Sequence, residues 1–284
     1  MRENNIVWLK DGRKLGYAEY GDAKGKPMFF FHGWPTSRLH GRSTDQAAKK
    51  LKIRVIATDR PGIGLSDYKP NRTMLDFSDD IVELADTLNI KKFPVLGISG
   101  GGPYATVCAY KIPYRLTKMG IAVGLSPIYP ELLEGTSWLA KLGWANYGRF
   151  PIARKIAAIL YFINIKYGPS VGLYRFLFGS KADRKAGADP KIRQALKTGI
   201  KEAFRNGYKG VEQELTLYTT DWGFNVGDIK TPVYLWYGED DRNVSLAMGK
   251  YYATHIPNAK LIVYPGEGHM SASTHIEEIL KILM

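Results

Sequence analysis

The chain has 284 residues, of which 45% are hydrophobic and 24% charged, and this composition is typical of a globular protein rather than a disordered one. Its 40 Lys and Arg residues outnumber 27 Asp and Glu residues, but they are spread along the chain, which argues against specific nucleic-acid binding. The single cysteine, Cys108, excludes an intramolecular disulfide and a cysteine-based metal site. Because we find neither a signal peptide nor an apolar run long enough to span a bilayer, we expect a cytoplasmic protein.

Two strand-like segments come first, on either side of Asp11-Gly12, a pair that is typical of a hairpin turn. Apolar runs then alternate with segments of helical spacing. Strands are predicted at PMFFFHG, IRVIATDRPG, KFPVLGISG and LTKMGIAVGLS, and helices at TSRLHGRSTDQAAKKL, TMLDFSDDIVELADTLNI and GGPYATVCAYKIP. This alternation predicts an α/β fold with a mostly parallel central sheet and helices on both faces.

The alternation stops after residue 126 and resumes at the strand TPVYLWYGEDD. Residues 127–225 are mostly helical, aromatic and basic in character, with 15 Lys and Arg against 8 Asp and Glu. We therefore predict a core domain formed by residues 1–126 and 226–284, with a helical cap inserted at 127–225 over the carboxyl edge of the sheet.

Aromatic side chains are frequent in the predicted cap, and we expect them to pack together and to line an apolar pocket. They include Trp138, Trp144, Tyr147, Phe150, Tyr161, Phe162, Tyr174, Phe176 and Phe178. The apolar run at residues 156–165 has two interpretations. Packing of a helix against the core explains it, and so does a face that lies on a membrane surface; we favour packing.

A glycine-rich turn follows the predicted strand KFPVLGISG. Gly97-Ile98-Ser99-Gly100-Gly101 fits the pattern G-x-S-x-G at the junction of a predicted strand and a predicted helix. Glycines beside the serine leave room for a strained turn from which the hydroxyl projects. The turn ends at a helix N-terminus, whose free N–H groups favour developing negative charge. A phosphate-binding turn is the alternative, but the context favours Ser99 as a nucleophile.

A serine hydroxyl at neutral pH needs a base, and the base needs an acid that orients it. Of the histidines that follow Ser99, only His269 lies in a loop after a predicted strand, at the sheet edge where Ser99 projects. We expect His255 at a helix end and His275 on the exposed face of the last helix. Three acids follow the strand PVYLWYG, and the residues alone leave the choice among them open: Glu239, Asp240 and Asp241.

Several separate motifs resemble those of the α/β-hydrolase superfamily, and together they cover nearly the whole chain. They are HGWP at 32–35, DRPGIGLSD at 59–67, GISGGGPYA at 97–105, YGEDDRNVS at 237–245 and PGEGH at 265–269. The resemblance implies a catalytic triad of Ser99, Asp241 and His269, with the acid at 241 rather than at 240. Ser245 stands where the superfamily often has proline, and we expect it to cap the next helix.

The resemblance also implies an oxyanion hole formed by the backbone N–H groups of Trp34 and Gly100. His32 would then hold the oxyanion loop rather than act as the base, and the peptide bond between Trp34 and Pro35 is expected to be cis. Relatives that open epoxides or remove halides use an aspartate nucleophile. The serine at position 99 therefore implies acyl transfer.

The expected function is hydrolysis of carboxylic esters through an acyl-enzyme, without a cofactor or a metal. Lactone, thioester or C–C bond hydrolysis and cofactor-free perhydrolysis are alternatives within the superfamily. A binding or receptor protein with little turnover is the alternative outside enzymes. We expect a small apolar acyl ester as the binding partner, no nucleic acid, a membrane surface only as the less favoured interpretation, and a monomer or homodimer.

Overall fold

The computed structural model describes residues 2–167, 179–188 and 190–284. One eight-stranded sheet forms the centre, with strands β1 (Arg2–Trp8), β2 (Lys14–Gly21), β3 (Lys26–Phe31), β4 (Ile53–Thr58), β5 (Phe93–Ile98), β6 (Leu116–Ala122), β7 (Val233–Gly238) and β8 (Ala259–Tyr264). Their order across the sheet is β1-β2-β4-β3-β5-β6-β7-β8. Strand β2 is antiparallel to both its neighbours, whereas β3 to β8 pair in parallel.

Helices cover both faces of the sheet. In chain order they are α1 (Asp45–Lys50), α2 (Phe77–Thr87), α3 (Gly102–Lys111), α4 (Trp138–Arg149), α5 (Pro151–Tyr167), α6 (Lys181–Gly187), α7 (Pro190–Ala203), α8 (Lys209–Thr219), α9 (Leu246–His255), α10 (Ser271–Thr274) and α11 (Ile276–Leu283). Because side chains alternate along a strand, Phe29 and Phe31 pack with α2 and α3, while Met28 and Phe30 pack with α1 and α11 on the other face. The predicted α/β fold is therefore confirmed.

The hairpin predicted at Asp11-Gly12 is confirmed as well. Gly12 has a φ of +82°, and its N–H donates to the carbonyl oxygen of Leu9 at 2.9 Å between β1 and β2. Glycine adopts this left-handed backbone conformation with little strain, because it has no Cβ.

One predicted helix differs from the structure. The segment TSRLHGRSTDQAAKKL forms a 3₁₀ helix over Arg38–Thr44 and only then the short α1. Arg38, the first residue of this 3₁₀ helix, is buried, and both its backbone and its side chain are bound to Asp59. Its backbone N–H donates to Oδ1 at 2.6 Å and its guanidinium to Oδ2 at 2.7 Å.

Helices α4 to α8 lie between β6 and β7, where no strand occurs among the described residues. We call them the helical insertion; the predicted domain boundaries at 127 and 225 stay a prediction. Ile200 of α7, Phe204 directly after it and Val211 of α8 form a cluster with Ile63, which follows β4. Trp34, which follows β3, packs against this cluster. The insertion therefore covers loops at the carboxyl ends of the parallel strands. No helix within the described ranges is long and apolar enough to cross a bilayer.

Candidate active site

Ser99 lies directly after β5 with a φ of +54°, a conformation that non-glycine residues rarely adopt. The neighbouring glycines are required because other backbone atoms come very close. A Cβ added to Gly97 would lie 2.3 Å from the carbonyl oxygen of Gly101, and one added to Gly101 would lie 2.1 Å from that of Phe31. The predicted strained turn with space-making glycines is thus confirmed. Gly102 belongs to the same packing, since an added Cβ would lie 3.0 Å from Cα of Gly124.

The structure brings Ser99, His269 and Asp241 together in one chain of polar contacts. Nε2 of His269 lies 3.1 Å from Oγ of Ser99, and Nδ1 lies 2.7 Å from Oδ2 of Asp241. The other carboxylate oxygen accepts backbone N–H bonds from Asn243 (2.8 Å) and Val244 (3.0 Å). Because Asp241 is 2% exposed and doubly held, its carboxylate fixes the ring orientation of His269.

The two neighbouring acids point elsewhere. Glu239 and Asp240 are exposed, and Oε2 of Glu239 accepts from the N–H of Gly266 at 3.3 Å. The backbone N–H of Asp240 donates to the carbonyl oxygen of Glu267 at 2.8 Å. Of the three candidates, Asp241 is the acid that contacts His269.

The other candidate histidines lie away from Ser99. His255 is exposed at the end of α9, as predicted, with Nδ1 2.8 Å from the carbonyl oxygen of Tyr251. The expectation for His275 is wrong: it precedes α11, is half-buried, and stacks on Tyr264 with ring centroids 3.8 Å apart. Its Nε2 lies 2.7 Å from a carboxylate oxygen of Glu267, so the aromatic contact and this hydrogen bond draw it inward.

Ser245 occupies the N-cap position of α9, but its hydroxyl does not cap the helix. Instead it donates to the carbonyl oxygen of Leu132 at 2.5 Å. The predicted capping bond is therefore wrong, because a carbonyl of the loop before α4 competes for the same hydroxyl.

The loop after β3 places Trp34 beside the serine turn. A Cβ built on Gly100 would lie 3.0 Å from the backbone nitrogen of Trp34, and a Cβ on Gly33 would lie 3.2 Å from Cβ of Ser99. The two N–H groups predicted as oxyanion donors thus belong to neighbouring backbone segments. The peptide bond between Trp34 and Pro35 is cis, as predicted.

Three donors hold the carbonyl of the peptide unit that contains the Trp34 N–H. The oxygen of Gly33 accepts from Nδ1 of His32 (2.8 Å), from the backbone N–H of Thr36 (3.0 Å) and from its hydroxyl (2.9 Å). Burial, aided by the charge of Arg60, lowers the pKa of His32 well below its usual 6.5, so the ring is neutral and carries its proton on Nδ1. Sequence analysis identified His32 but missed Thr36.

A buried charged cluster lies behind the serine turn, and sequence analysis missed it. Glu214 of α8 accepts hydrogen bonds from Arg60 (2.5 Å), Arg72 (3.1 Å) and the hydroxyl of Tyr104 (2.6 Å), all of them completely buried. Burial would raise the pKa of Glu214, but the two guanidiniums lower it to about 2. One signal in the sequence could have indicated a buried carboxylate. Glu214 lies at a helical spacing from Val211, Leu215 and Tyr218, which form the buried apolar face of the same helix.

This cluster reaches the serine turn directly. Arg60 donates to the carbonyl oxygen of His32 at 2.6 Å. The hydroxyl of Tyr218, 3.1 Å from Glu214, lies 3.0 Å from the carbonyl oxygen of Gly100. Both backbone segments that carry the predicted oxyanion donors are therefore bound to the same ion pair.

A cavity of about 130 Å³ opens beside Ser99 and His269. None of the described residues that line it is Asp, Glu, Lys or Arg; they are Trp34, Pro35, Thr36, Ser99, Gly100, Leu125, Leu139, Ala140, Gly143, Trp144, Tyr147, Tyr161, Ile200, Asn243, Val244 and His269. Insertion aromatics thus contribute to the cavity, as expected for Trp144, Tyr147 and Tyr161. By contrast, Trp138 and Phe150 are largely exposed. The predictions for Tyr174, Phe176 and Phe178 lie outside the described residues.

Known proteins resemble this chain over nearly its full length. A bifunctional esterase/perhydrolase of Acinetobacter calcoaceticus is 27% identical, covering 98% of this chain and 97% of its own. A non-heme haloperoxidase of Rhodococcus erythropolis is 26% identical, covering 96% of both chains. Among solved structures, a hydrolase from Pseudomonas aeruginosa superposes with a TM-score of 0.75 at 19% identity, covering 99% of this chain and 97% of its own.

The family description "alpha/beta hydrolase fold" matches residues 26–275, which contain all the strands from β3 onward and the whole serine turn. The match covers most of the chain, and it agrees with the sheet order and with the strained serine after β5. The chain belongs to the α/β-hydrolase fold family.

Proposed function

We propose that the protein is a serine hydrolase that cleaves carboxylic esters through a covalent acyl-enzyme. The observation that carries the proposal is the contact chain from Asp241 through His269 to Oγ of Ser99, with distances of 2.7 and 3.1 Å. A base within hydrogen-bond reach of a hydroxyl, itself oriented by a carboxylate, is the arrangement that activates a serine.

In the first half-reaction, Oγ of Ser99 attacks the ester carbonyl carbon while its proton passes to Nε2 of His269. The carbonyl oxygen becomes an oxyanion, which the N–H groups of Trp34 and Gly100 would bind. His269 then returns the proton to the alcohol oxygen as that bond breaks, leaving the acyl group on Ser99. Water, deprotonated by His269, attacks the acyl-enzyme in the second half-reaction and releases the acid.

The buried position of Asp241 supports this assignment of roles. Its two backbone donors prevent rotation of the carboxylate, so the charge stays 2.7 Å from Nδ1 when the ring of His269 becomes positively charged. The donors to the carbonyl oxygen of Gly33 support a preorganised oxyanion hole in the same way. They polarise the peptide unit that carries the N–H of Trp34, the proposed oxyanion donor.

The cavity supports a neutral substrate with a small apolar acyl group. A cavity of about 150 Å³ accommodates a benzene ring, and the cavity of about 130 Å³ beside Ser99 is of similar size. Because no Lys or Arg occurs among its described lining residues, a substrate carboxylate would find no counter-ion there. A monoester of a short aliphatic or aromatic acid fits these walls better than a dicarboxylate.

The experiment is labelling with a fluorophosphonate, which reacts with activated serines, combined with hydrolysis of nitrophenyl acetate and butyrate. We expect one adduct, located by mass spectrometry on Ser99, and ester turnover that the reagent abolishes. An unlabelled Ser99 in a folded protein without esterase activity would contradict the proposal and favour the binding-protein alternative.

Perhydrolysis is a second candidate, favoured by the esterase/perhydrolase that resembles this chain over nearly its full length. Hydrogen peroxide would replace water in the second half-reaction, so that the acyl-enzyme and H₂O₂ give a peroxy acid and free Ser99. The test is formation of peracetic acid from acetate or an acetate ester and H₂O₂. The product should appear with wild-type protein and not with Ser99→Ala.

A further inference from the structure

An exposed apolar stripe runs along α5 of the helical insertion. Ile152, Ile156, Leu160 and Ile163 follow one another at intervals of three or four residues, which places them on one face of the helix. These side chains are 61%, 50%, 60% and 47% exposed. Core packing, which the sequence analysis favoured, therefore does not account for them.

The opposite side of the same helix does pack against the protein. Ala158 is completely buried, and Tyr161, Phe162 and Ile165 contact the cluster around Ile200. Helix α5 thus has two apolar faces, and within the described part of the chain only one of them is covered.

Further exposed apolar side chains lie on α4, which packs against α5. Trp138 and Leu142 of α4 are 65% and 53% exposed, and Phe150 between the two helices is 44% exposed. Seven of the twelve exposed large hydrophobic side chains of the described residues fall in this short segment. We call them the apolar surface: Trp138, Leu142, Phe150, Ile152, Ile156, Leu160 and Ile163.

The charged residues interspersed with the apolar surface in the sequence all carry positive charge, and exposed Glu131 and Glu134 lie before it in the chain. Residues 135–165 contain no Asp or Glu, whereas Lys141, Arg149 and Lys155 are exposed among the apolar side chains. Exposed apolar side chains beside cations are the chemistry that binds a bilayer with anionic headgroups. A second copy of this chain fits less well, because a symmetric contact would bring the cations of both copies together.

We propose that the apolar surface docks on a lipid bilayer that contains anionic lipids, with α4 and α5 lying in the headgroup region. The proposal goes beyond ester hydrolysis and does not depend on it, because docking needs no catalytic residue. The two helices also supply Leu139, Trp144 and Tyr161 to the cavity beside Ser99. Docking would therefore bring one wall of that cavity to the surface where apolar esters accumulate.

The test is flotation of the full-length protein with vesicles of three parts phosphatidylcholine to one part phosphatidylglycerol, against vesicles of phosphatidylcholine alone. We expect binding to the anionic vesicles that weakens at least tenfold in about 1 M salt, where the screening length falls to about 3 Å. The double variant Ile156→Gln, Leu160→Gln should bind at least tenfold more weakly, because it removes apolar contacts without changing the charge. Lys155→Glu should weaken binding by about fivefold or more.

A matched double variant, Trp8→Gln with Tyr114→Gln, replaces side chains that are 66% and 64% exposed on other surfaces, and it should bind like wild type. Lys155→Glu and the two double variants should retain the wild-type unfolding transition and esterase activity. Ser99→Ala should bind vesicles like wild type, which separates this proposal from the proposed function. Absence of vesicle binding, equal binding by the two double variants, or a wild-type dimer that Ile156→Gln, Leu160→Gln dissociates would each overturn the proposal.

Discussion

The hydroxyl oxygen of Tyr218 lies 3.0 Å from the carbonyl oxygen of Gly100, and this contact joins helix α8 of the insertion to the turn that carries Ser99. The same hydroxyl lies 3.1 Å from Glu214. A residue of the insertion thus fixes the backbone directly after the proposed nucleophile. Its effect on catalysis would be indirect, through the position of the Gly100 peptide.

Tyr218→Phe tests this positioning role. We expect kcat for a nitrophenyl ester to fall about tenfold with KM nearly unchanged, because the oxyanion donor is displaced while the cavity keeps its walls. The free energy of unfolding should fall by about 1 to 3 kcal/mol, since buried oxygen atoms lose a partner. Tyr114→Phe, on the exposed surface, should change neither quantity. A purely structural Tyr218 would lower stability and leave kcat intact.

Removing a triad member should abolish turnover. Ser99→Ala and His269→Ala are each expected to lower kcat on the order of a million-fold, and Asp241→Asn about ten-thousand-fold. Asp240→Asn is the matched control, because its side chain is exposed and one residue away. Steady-state kinetics on nitrophenyl butyrate measure all four variants. Activity near wild type in Asp241→Asn would contradict the assigned acid.

Thr36 is expected to position the oxyanion loop through its hydroxyl, which donates to the carbonyl oxygen of Gly33 at 2.9 Å. Thr36→Val keeps the shape of the side chain and removes this bond, so kcat should fall about fivefold. Thr36→Ser keeps the hydroxyl and should restore most of the loss. If Thr36→Val instead raises KM with kcat unchanged, the residue contributes only to substrate binding at the cavity wall.

His32 should make stability depend on pH below about 6.5. Its folded-state pKa lies well below 6.5, so on acidification the unfolded chain takes up a proton that the folded chain does not. Stability from this group is therefore fully present above pH 6.5 and decreases below it, by up to about 1.4 kcal/mol per pH unit. Urea unfolding at several pH values should show a smaller decrease for His32→Asn, which keeps a donor near Nδ1. Parallel curves for both proteins would refute the prediction.

Glu214→Gln should be strongly destabilising. The substitution leaves the guanidiniums of Arg60 and Arg72 buried without a counter-ion, which typically costs about 3 to 5 kcal/mol in the free energy of unfolding. Glu212→Gln on the same helix is the control, with an expected change within about 0.5 kcal/mol. Urea denaturation gives both values, and equal stability of the two variants would contradict the role of the ion pair.

The sequence predicts the sheet and the proposed triad well because the signals are local. Apolar runs predict the strands, and Ser99, Asp241 and His269 each follow one of them at the same sheet edge. The acid was narrowed to Asp241 only by the superfamily resemblance, since three adjacent carboxylates look alike until the backbone shows which one turns inward.

The buried ion pair, the position of His275 and the exposed stripe depend on long-range contacts, which a local sequence pattern does not predict. Arg60 and Glu214 are 154 positions apart, and nothing near either one identifies its partner. His275 was expected on the exposed face of the last helix, but it precedes α11 and its ring is drawn inward by Tyr264, eleven positions earlier. The exposed stripe of α5 was interpreted as core packing because an apolar run carries no information on which of its faces is covered.

The ion pair of Glu214 also anchors one helix of the insertion, α8, to the core through buried charge. Swinging α8 outward would pull a carboxylate away from two buried guanidiniums and release the Gly100 carbonyl, so displacement of this helix is costly. The described contacts of α5 with the cluster around Ile200 are apolar, so displacing them would leave no charge unpaired.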